Sequence, residues 1–311
     1  RDRCLRRVTQ PPHIAGPLQA SDYTPITNYY TMKIYFLLAF IFIQPVLMSQ
    51  DTYKFKTSFL PNSHFLIETS SISMVEQDYS GDVSTINKIK ESGIKLPIKM
   101  RSEYLVTSLL TTKHVLQEKG TPFNLEFTKA YTLNEYYGQK VEKDTPLLNV
   151  IAIGSFDKEG KMTLDSINKN NRTLSIDSLS PQIHGFMVNI SFPDRSLKVG
   201  DKFTQESPIE IPIKEIGLAQ LILHTTYTLS NIKNGIAFFN IMQVINLDPK
   251  ISQPQIKANG KGLGKAFYDL NTNVISDYQT IWTIDINANS SNLTLLSKMQ
   301  TDYNQTITYK K

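Results

Sequence analysis

The sequence predicts an all-β protein with two related, antiparallel and curved sheets, half-barrel or sandwich-like, and one short helix. Runs rich in β-branched and aromatic residues recur between short turn signals, as is typical of strands. Asn234 and Gly235 separate two such runs and favour a two-residue hairpin turn. Residues 156–162 and 268–274 match without gaps, each with an aromatic residue, an aspartate, a turn and an apolar residue. The match predicts an internal duplication, although such turn chemistry is common to hairpins in general.

A polar joint at residues 192–203 divides the chain. It carries Pro193 and Gly200, strand-like runs end before it, and new runs begin after it. We therefore expect a first β half at 50–191 and a second β half at 204–311. Four apolar residues are expected to anchor the joint and to pack the halves against each other: Phe192, Leu197, Val199 and Phe203.

The helix is predicted at residues 82–92. Asp82 can cap its free amide groups, apolar residues recur at helical spacing, and Gly93 suits the position after the last turn. A loop is predicted at 168–177, and Pro212 predicts an edge strand because proline cannot donate to a neighbouring strand. Strands are predicted at 53–59, 64–75, 95–112, 123–137, 147–156, 162–167, 209–213, 219–229, 236–245, 255–270, 274–286 and 293–309.

Residues 32–49 have the layout of a secretory signal peptide. Lys33 precedes an apolar run at 34–43, and Ser49 is a small residue suited to cleavage. The apolar run is shorter than the roughly 20 residues of a membrane span, so an uncut anchor is the less favoured alternative. Residues 1–31 are expected to be a disordered leader or an over-extended start outside the fold. The sequence thus predicts a periplasmic or extracellular protein.

Charge and cysteine content exclude several classes of function. The formal net charge is +5, and much of the excess lies in the predicted leader and signal peptide. The remaining residues have no excess of positive charge that would indicate nucleic-acid binding. Cys4 is the only cysteine, so the exported chain can hold neither a disulfide framework nor a thiol nucleophile, and no lipoprotein cysteine follows the signal peptide.

Four short motifs carry a resemblance to a known family. They are the LKVGDKF stretch at 197–203, Tyr227-x-Leu229, the Ala-Phe-Phe run at 237–239 and Tyr268-Asp269. Together they resemble uncharacterised secreted domains of Gram-negative bacteria, which are distantly similar to the half-barrels of LolA/LolB-type periplasmic lipoprotein carriers. The likeness covers most of 53–309. It implies a curved sheet that holds acyl chains on a concave apolar face, and it transfers no lipid-contacting residue.

The predicted function is non-enzymatic binding of a hydrophobic or amphiphilic ligand, such as a lipid, on a curved sheet of a cell-envelope protein. Strand type and parity select four ligand-binding residues: Ile222, Phe238, Ile241 and Trp282. One alternative is a structural or interaction module without a ligand cavity, and envelope proteins stay open as partners. A second is an envelope hydrolase with a carboxylate pair, drawn from Glu68, Glu76, Glu126 and Asp285.

Two motifs look like ligand loops, but their surroundings favour ordinary strand and turn structure, and neither a cofactor nor a metal is predicted. The glycine-rich residues 259–265 resemble a phosphate loop, yet a strand-like run follows instead of a helix, so a bulge or bend is predicted. Asp269, Asn271 and Asn273 have calcium-loop spacing, but Val274 and Thr280 replace the required glycine and glutamate. A hairpin turn is predicted there, with weak calcium binding left open.

Overall fold

The computed structural model describes residues 51–115, 120–170, 172–213, 217–250 and 255–310. The predicted leader and signal peptide lie outside these residues. The all-β fold class is confirmed, since the described residues form thirteen strands and two short helices. Neither of these helices has the length and apolar character needed to cross a membrane.

The elements follow one another from residue 64 onward. They are β1 (His64–Gly81), α1 (Val83–Glu91), β2 (Ile98–Thr112), β3 (Thr121–Tyr136), β4 (Gln139–Asp144), β5 (Val150–Phe156), β6 (Met162–Lys169), β7 (Arg172–Leu174), α2 (Ile176–Phe186), β8 (Lys202–Ile213), β9 (Gly217–Lys233), β10 (Ile236–Leu247), β11 (Ile256–Asp269), β12 (Val274–Asn289) and β13 (Leu293–Lys310).

The two predicted sheets are joined into one open, curved, antiparallel sheet. Its strand order is β7-β6-β5-β3-β2-β1-β13-β12-β11-β10-β9-β8, and β4 pairs with β3 outside this path. The join is the pairing of β1 with β13, which runs from His64 opposite Lys310 to Gly81 opposite Leu293. Because an unpaired strand edge leaves its backbone groups without partners, this pairing satisfies one edge of each half.

Each half of the sheet is a meander of six strands along this path. The hairpins β2–β3 and β9–β10 each contain one register shift, and so do β5–β6 and β11–β12. A duplicated unit would produce matching hairpins of this kind. The internal duplication itself stays a prediction.

The sheet has one covered face and one solvent-facing face, here called the inner and the outer face. Along β10, Phe239, Ile241 and Ile245 are buried on the inner face, while Met242 and Val244 point outward and are exposed. This alternation follows from the two-residue period of a strand. Three apolar clusters cover the inner face, one in the first half and two in the second.

A crossing segment at residues 53–59 lies over both halves. Phe55 enters a second-half cluster and Phe59 enters the first-half cluster. The predicted strand at 53–59 was wrong, because only Tyr53 makes a bridge, opposite Leu197, and the backbone then crosses the sheet. The alternating apolar residues of the segment serve two cores instead of one strand face.

The joint at 192–203 packs against the sheet through three of its four predicted anchors, Phe192, Leu197 and Phe203. The ring of Phe192 lies 5.5 Å from that of Phe55 and 5.6 Å from that of Phe203. Leu197 is 1% exposed, whereas Val199 is 43% exposed and therefore does not anchor the joint as expected. Three apolar residues of the joint thus belong to the inner-face core, while most of its other residues are exposed.

The helix prediction was right for one helix and missed another. For α1, the Asp82 carboxylate accepts a hydrogen bond from the Thr85 amide at 3.2 Å, as its capping role predicts. The prediction of a single helix, and of a loop at 168–177, is corrected by β7 and α2. In α2 the buried residues Leu179, Ile183 and Phe186 have helical spacing, but Pro181 lies between them. Proline inside a helix is unfavourable, so the local sequence argued against this one.

Candidate functional site

The largest hollow described lies on the outer face, across β10, β11, β12, β13 and β1. It has a volume of about 1100 Å³ and is here called the outer groove. Two neighbouring hollows of about 640 and 530 Å³ extend the depression along the outer face. The first of them meets the outer groove at Thr283, and the two share Glu76, Asp285 and Lys298.

The outer groove has an exposed apolar floor. Met242 lies opposite Leu263 on the next strand, and Leu263 lies opposite Ile281 on the strand after that. These three side chains, here called the apolar row, are 53%, 69% and 51% exposed. Two strand spacings give the row a width of about 10 Å. Contiguous exposed apolar patches on a protein surface often mark binding sites, and these three neighbouring side chains form such a patch.

Lysines stand on both sides of the apolar row. Lys261 and Lys265 precede and follow Leu263 by two residues on β11, so both project from the outer face beside it. Neither ammonium group lies within 4 Å of a carboxylate among the described residues. Asp302 on β13 lies opposite Ile281 and is the acidic residue among those that line the groove. The groove is therefore cationic on its β11 side.

The adjacent hollows contain mixed charges instead of a carboxylate pair. Glu76, Lys298 and Asp285 lie directly opposite one another on β1, β13 and β12, and the Glu76 carboxylate lies 3.7 Å from the Lys99 ammonium. A glycosidase pair needs open space between its carboxyl groups, and Lys298 stands between these two. The other two carboxylates considered for a hydrolase, Glu68 and Glu126, line none of the three hollows.

The glycine-rich residues 259–265 lie within β11, behind the groove. A Cβ atom on Gly264 would lie 2.1 Å from the main-chain oxygen of Gln279, and one on Gly262 would lie 2.7 Å from the Cβ of Trp282. The glycines therefore allow β12 to approach β11 closely on the inner face. The motif lies in a strand and not in a phosphate loop. The predicted bulge or bend is wrong for 259–265, because β11 keeps an unbroken register there and its register shift with β12 lies at Phe267 and Tyr268.

The four predicted ligand residues do not meet in one site. Ile241 is 3% exposed and belongs to the core, and Trp282 is half-buried on the same inner face. Ile222 and Phe238 are half-buried on the outer face, where the ring of Phe238 contacts that of Phe267 at 5.1 Å. Of the four, only Trp282 is among the residues that line the outer groove.

The sequence did not predict the apolar row, because β10 has apolar residues on both of its faces. The run from Ile236 to Leu247 has Ile241 and Ile245 on one face and Met242 and Val244 on the other. A strand that is apolar on both faces indicates burial on both. Two features of the sequence could have indicated the row: the second apolar face of β10, and Leu263 as a single apolar residue between Lys261 and Lys265.

A buried tyrosine cluster lies on the inner face. Burial raises the pKa of the Tyr227 phenol to about 12, and a hydrogen bond with Tyr278 works in the opposite direction. Burial also raises the pKa of Tyr278 and that of Tyr303, whose rings lie 6.0 Å apart. These phenols therefore stay protonated in the folded protein at a pH where they ionise in an unfolded chain.

The protein should lose stability at alkaline pH because of these tyrosines. An unfolded tyrosine ionises near pH 10, whereas Tyr227 holds its proton to about pH 12. The stabilisation is therefore complete below about pH 10 and is lost as the pH rises from there through about 12, which amounts to about 2–3 kcal/mol for Tyr227. Urea unfolding at a series of pH values measures it, and Tyr227→Phe should decline less steeply. If the stability of the wild type and that of the variant decline equally with pH, the loss does not come from Tyr227.

The predicted hairpin turn at residues 269–273 is present. The Asp269 carboxylate accepts a hydrogen bond from the Asn271 amide at 2.8 Å, and the Asn273 side-chain oxygen accepts one from the Tyr268 hydroxyl at 3.1 Å. The Asp157 carboxylate accepts a similar bond from the Glu159 amide at 3.0 Å in the β5–β6 turn. Within the described ranges, no three or more His, Cys, Asp or Glu side chains gather as metal ligands would.

Comparison with known proteins leaves the family open. No family model matches the chain, and no curated protein matches it. Among the solved structures that match is OpdQ from Pseudomonas aeruginosa, with a TM-score of 0.22 and 9% identity over 81% of this chain and 100% of OpdQ. A similarity at that level carries no argument about function. The resemblance to LolA/LolB-type carriers stays a prediction.

Proposed function

We propose that the protein is a non-enzymatic binder of a hydrophobic or amphiphilic molecule, and that this ligand lies in the outer groove. The observation that carries the proposal is the apolar row of Met242, Leu263 and Ile281, exposed on the floor of a hollow of about 1100 Å³. A hollow of this size is comparable with known ligand sites, which are mostly apolar with a few polar groups. Each methylene buried on the row would contribute about 0.8 kcal/mol.

The proposal keeps the predicted ligand class but not the predicted set of residues, which lie on both faces of the sheet and do not meet in one site. The predicted residue Ile241 is buried in the core. The proposed site instead uses residues such as Met242, which follows Ile241 and faces the other way. The resemblance to lipoprotein carriers supports the same ligand class. The predicted signal peptide supports a cell-envelope location, which we propose with it.

A neutral fluorescent amphiphile, N-phenyl-1-naphthylamine, tests the proposal. We expect the purified protein to bind it saturably, and Leu263→Asp to weaken binding by about 10-fold or more, because a buried leucine contributes about 1.5–3 kcal/mol. Trp282 is the only tryptophan and lies on β12 next to Ile281, so energy transfer from it to the probe shows that the probe binds near β12, and the loss caused by Leu263→Asp assigns the outer face.

Leu296→Asp is the matched control. Leu296 is 47% exposed on the outer face but lines the hollow of about 530 Å³ and not the outer groove. It should keep the wild-type affinity, and both variants should keep the wild-type circular dichroism spectrum. Absence of saturable binding, or an equal loss in the two variants, would disprove the proposal.

A further inference from the structure

We infer that the ligand of the outer groove is a single-chain anionic amphiphile, whose head group lies between Lys261 and Lys265. The inference rests on the proposed function and adds the charge and the orientation of the ligand. Neutral, cationic and anionic amphiphiles would all bury methylenes on the apolar row equally well. The charges beside the row therefore decide among them.

The two lysines are placed to act together on one anion. They are four residues apart on β11 and share its outer face, so their Cα atoms are about 14 Å apart. A lysine has a flexible four-carbon stem, and both ammonium groups can therefore reach toward a group above Leu263. Both side chains are exposed, and no carboxylate of a described residue neutralises either of them.

The opposite side of the groove has the opposite charge. Asp302 on β13 is exposed and lies between Ile281 and Ile72 in the same cross-strand row. A carboxylate there repels an anionic head group, whereas β11 attracts it. The head group is thus directed to β11, and the chain extends from there over Met242 and Val244, on the side away from Ile281 and Asp302.

A discrete molecule fits this surface better than a bilayer does. The apolar row forms the floor of a hollow, and the lysines stand at the same level on the strand that passes through it. An anionic bilayer would also have to meet the exposed carboxylates of Glu76, Asp285 and Asp302 on the same face, which a single chain beside β11 avoids. Binding to anionic vesicles is accordingly an outcome that the experiment must distinguish.

Isothermal titration with matched ten-carbon ligands tests the inference. The ligands are decanoate and decyltrimethylammonium, each below its micelle concentration, and 1-decanol below its solubility limit. The proteins are wild type, Lys261→Gln/Lys265→Gln and Lys257→Gln. Lys257 is the matched control because it is an exposed outer-face lysine of β11 that lines the hollow of about 530 Å³ and not the outer groove. Inorganic phosphate alone and sedimentation with phosphatidylglycerol vesicles complete the set.

We expect decanoate to bind about 10-fold more tightly than 1-decanol at low salt, and decyltrimethylammonium to bind least tightly. The preference should shrink at high salt, since exposed charges are screened. The double glutamine variant should lose the preference for decanoate and keep its affinity for 1-decanol, whereas Lys257→Gln should behave as wild type.

The contrary outcomes separate this inference from the proposed function. Equal affinity for decanoate and 1-decanol in the wild type would overturn the anionic ligand and leave the groove as a binding site. Binding of neither ligand would overturn both. Phosphate that binds as tightly as decanoate would assign the lysines to a free anion, and sedimentation with vesicles that depends on Lys261 and Lys265 would assign them to a membrane surface. Either result would overturn the inference.

Discussion

Phe55→Ala should lower the free energy of unfolding by about 3–5 kcal/mol, the range observed when a buried phenylalanine is truncated. Phe55 is 3% exposed and lies under the joint. Its ring centre is 5.5 Å from that of Phe192, 5.2 Å from that of Phe239 and 5.2 Å from that of Tyr268. Truncation would therefore leave a cavity where the crossing segment, the joint and the second half of the sheet meet.

Urea unfolding, followed by circular dichroism, measures the effect. Phe238→Ala is the control, because Phe238 is half-buried on the outer face and its ring contact is with Phe267. It should cost clearly less than Phe55→Ala. If the two substitutions have equal effects, or if Phe55→Ala stays within about 1 kcal/mol of the wild type, the crossing segment does not anchor the fold as described.

Local chemistry explains which parts of the fold the sequence could predict. Asn234 and Gly235 have φ angles of 53° and 76°, so the hairpin turn that joins β9 to β10 requires residues that adopt positive φ. The Asp82 cap is equally local. The pairing of β1 with β13 is not, because it joins residues more than 200 positions apart. No short stretch contains that pairing, and for this reason the sequence predicted two sheets where the structure has one.

The candidate site depends on register, which the sequence does not reveal. Parity shows that Ile241 and Ile245 share one face of β10 and that Met242 and Val244 share the other. It does not show which face the crossing segment and the joint will cover. The apolar row also needs three strands aligned so that Met242, Leu263 and Ile281 lie opposite one another. A one-residue slip would turn Leu263 to the inner face.

Gly264→Ala should lower the free energy of unfolding by about 3 kcal/mol or more, at the upper end of the cost of overpacking. The new Cβ atom would lie 2.1 Å from the main-chain oxygen of Gln279 and 2.6 Å from the Cγ2 of Thr280. Neither neighbour is the end of a long flexible side chain, so β11 and β12 would have to separate. Urea unfolding of the variant measures the cost.

Gly185→Ala is the control for the loss of a glycine. Gly185 lies near the end of α2, and a Cβ atom there would have no heavy atom within 4 Å. Alanine favours a helix by about 1 kcal/mol over glycine, so this variant should equal or exceed the wild type in stability. Equal stability of Gly264→Ala and Gly185→Ala would show that β12 does not approach β11 as closely as the structure has it.

The same substitution links the inner face to the outer groove. Gly264 lies between Leu263 and Lys265 on β11, and Leu263 lies opposite Ile281 only while β11 and β12 keep their spacing and register. We therefore expect Gly264→Ala to weaken binding of N-phenyl-1-naphthylamine under conditions where the variant is still folded, although the substituted atom faces away from the groove. Wild-type affinity in a destabilised but folded variant would show that the apolar row does not depend on this strand contact.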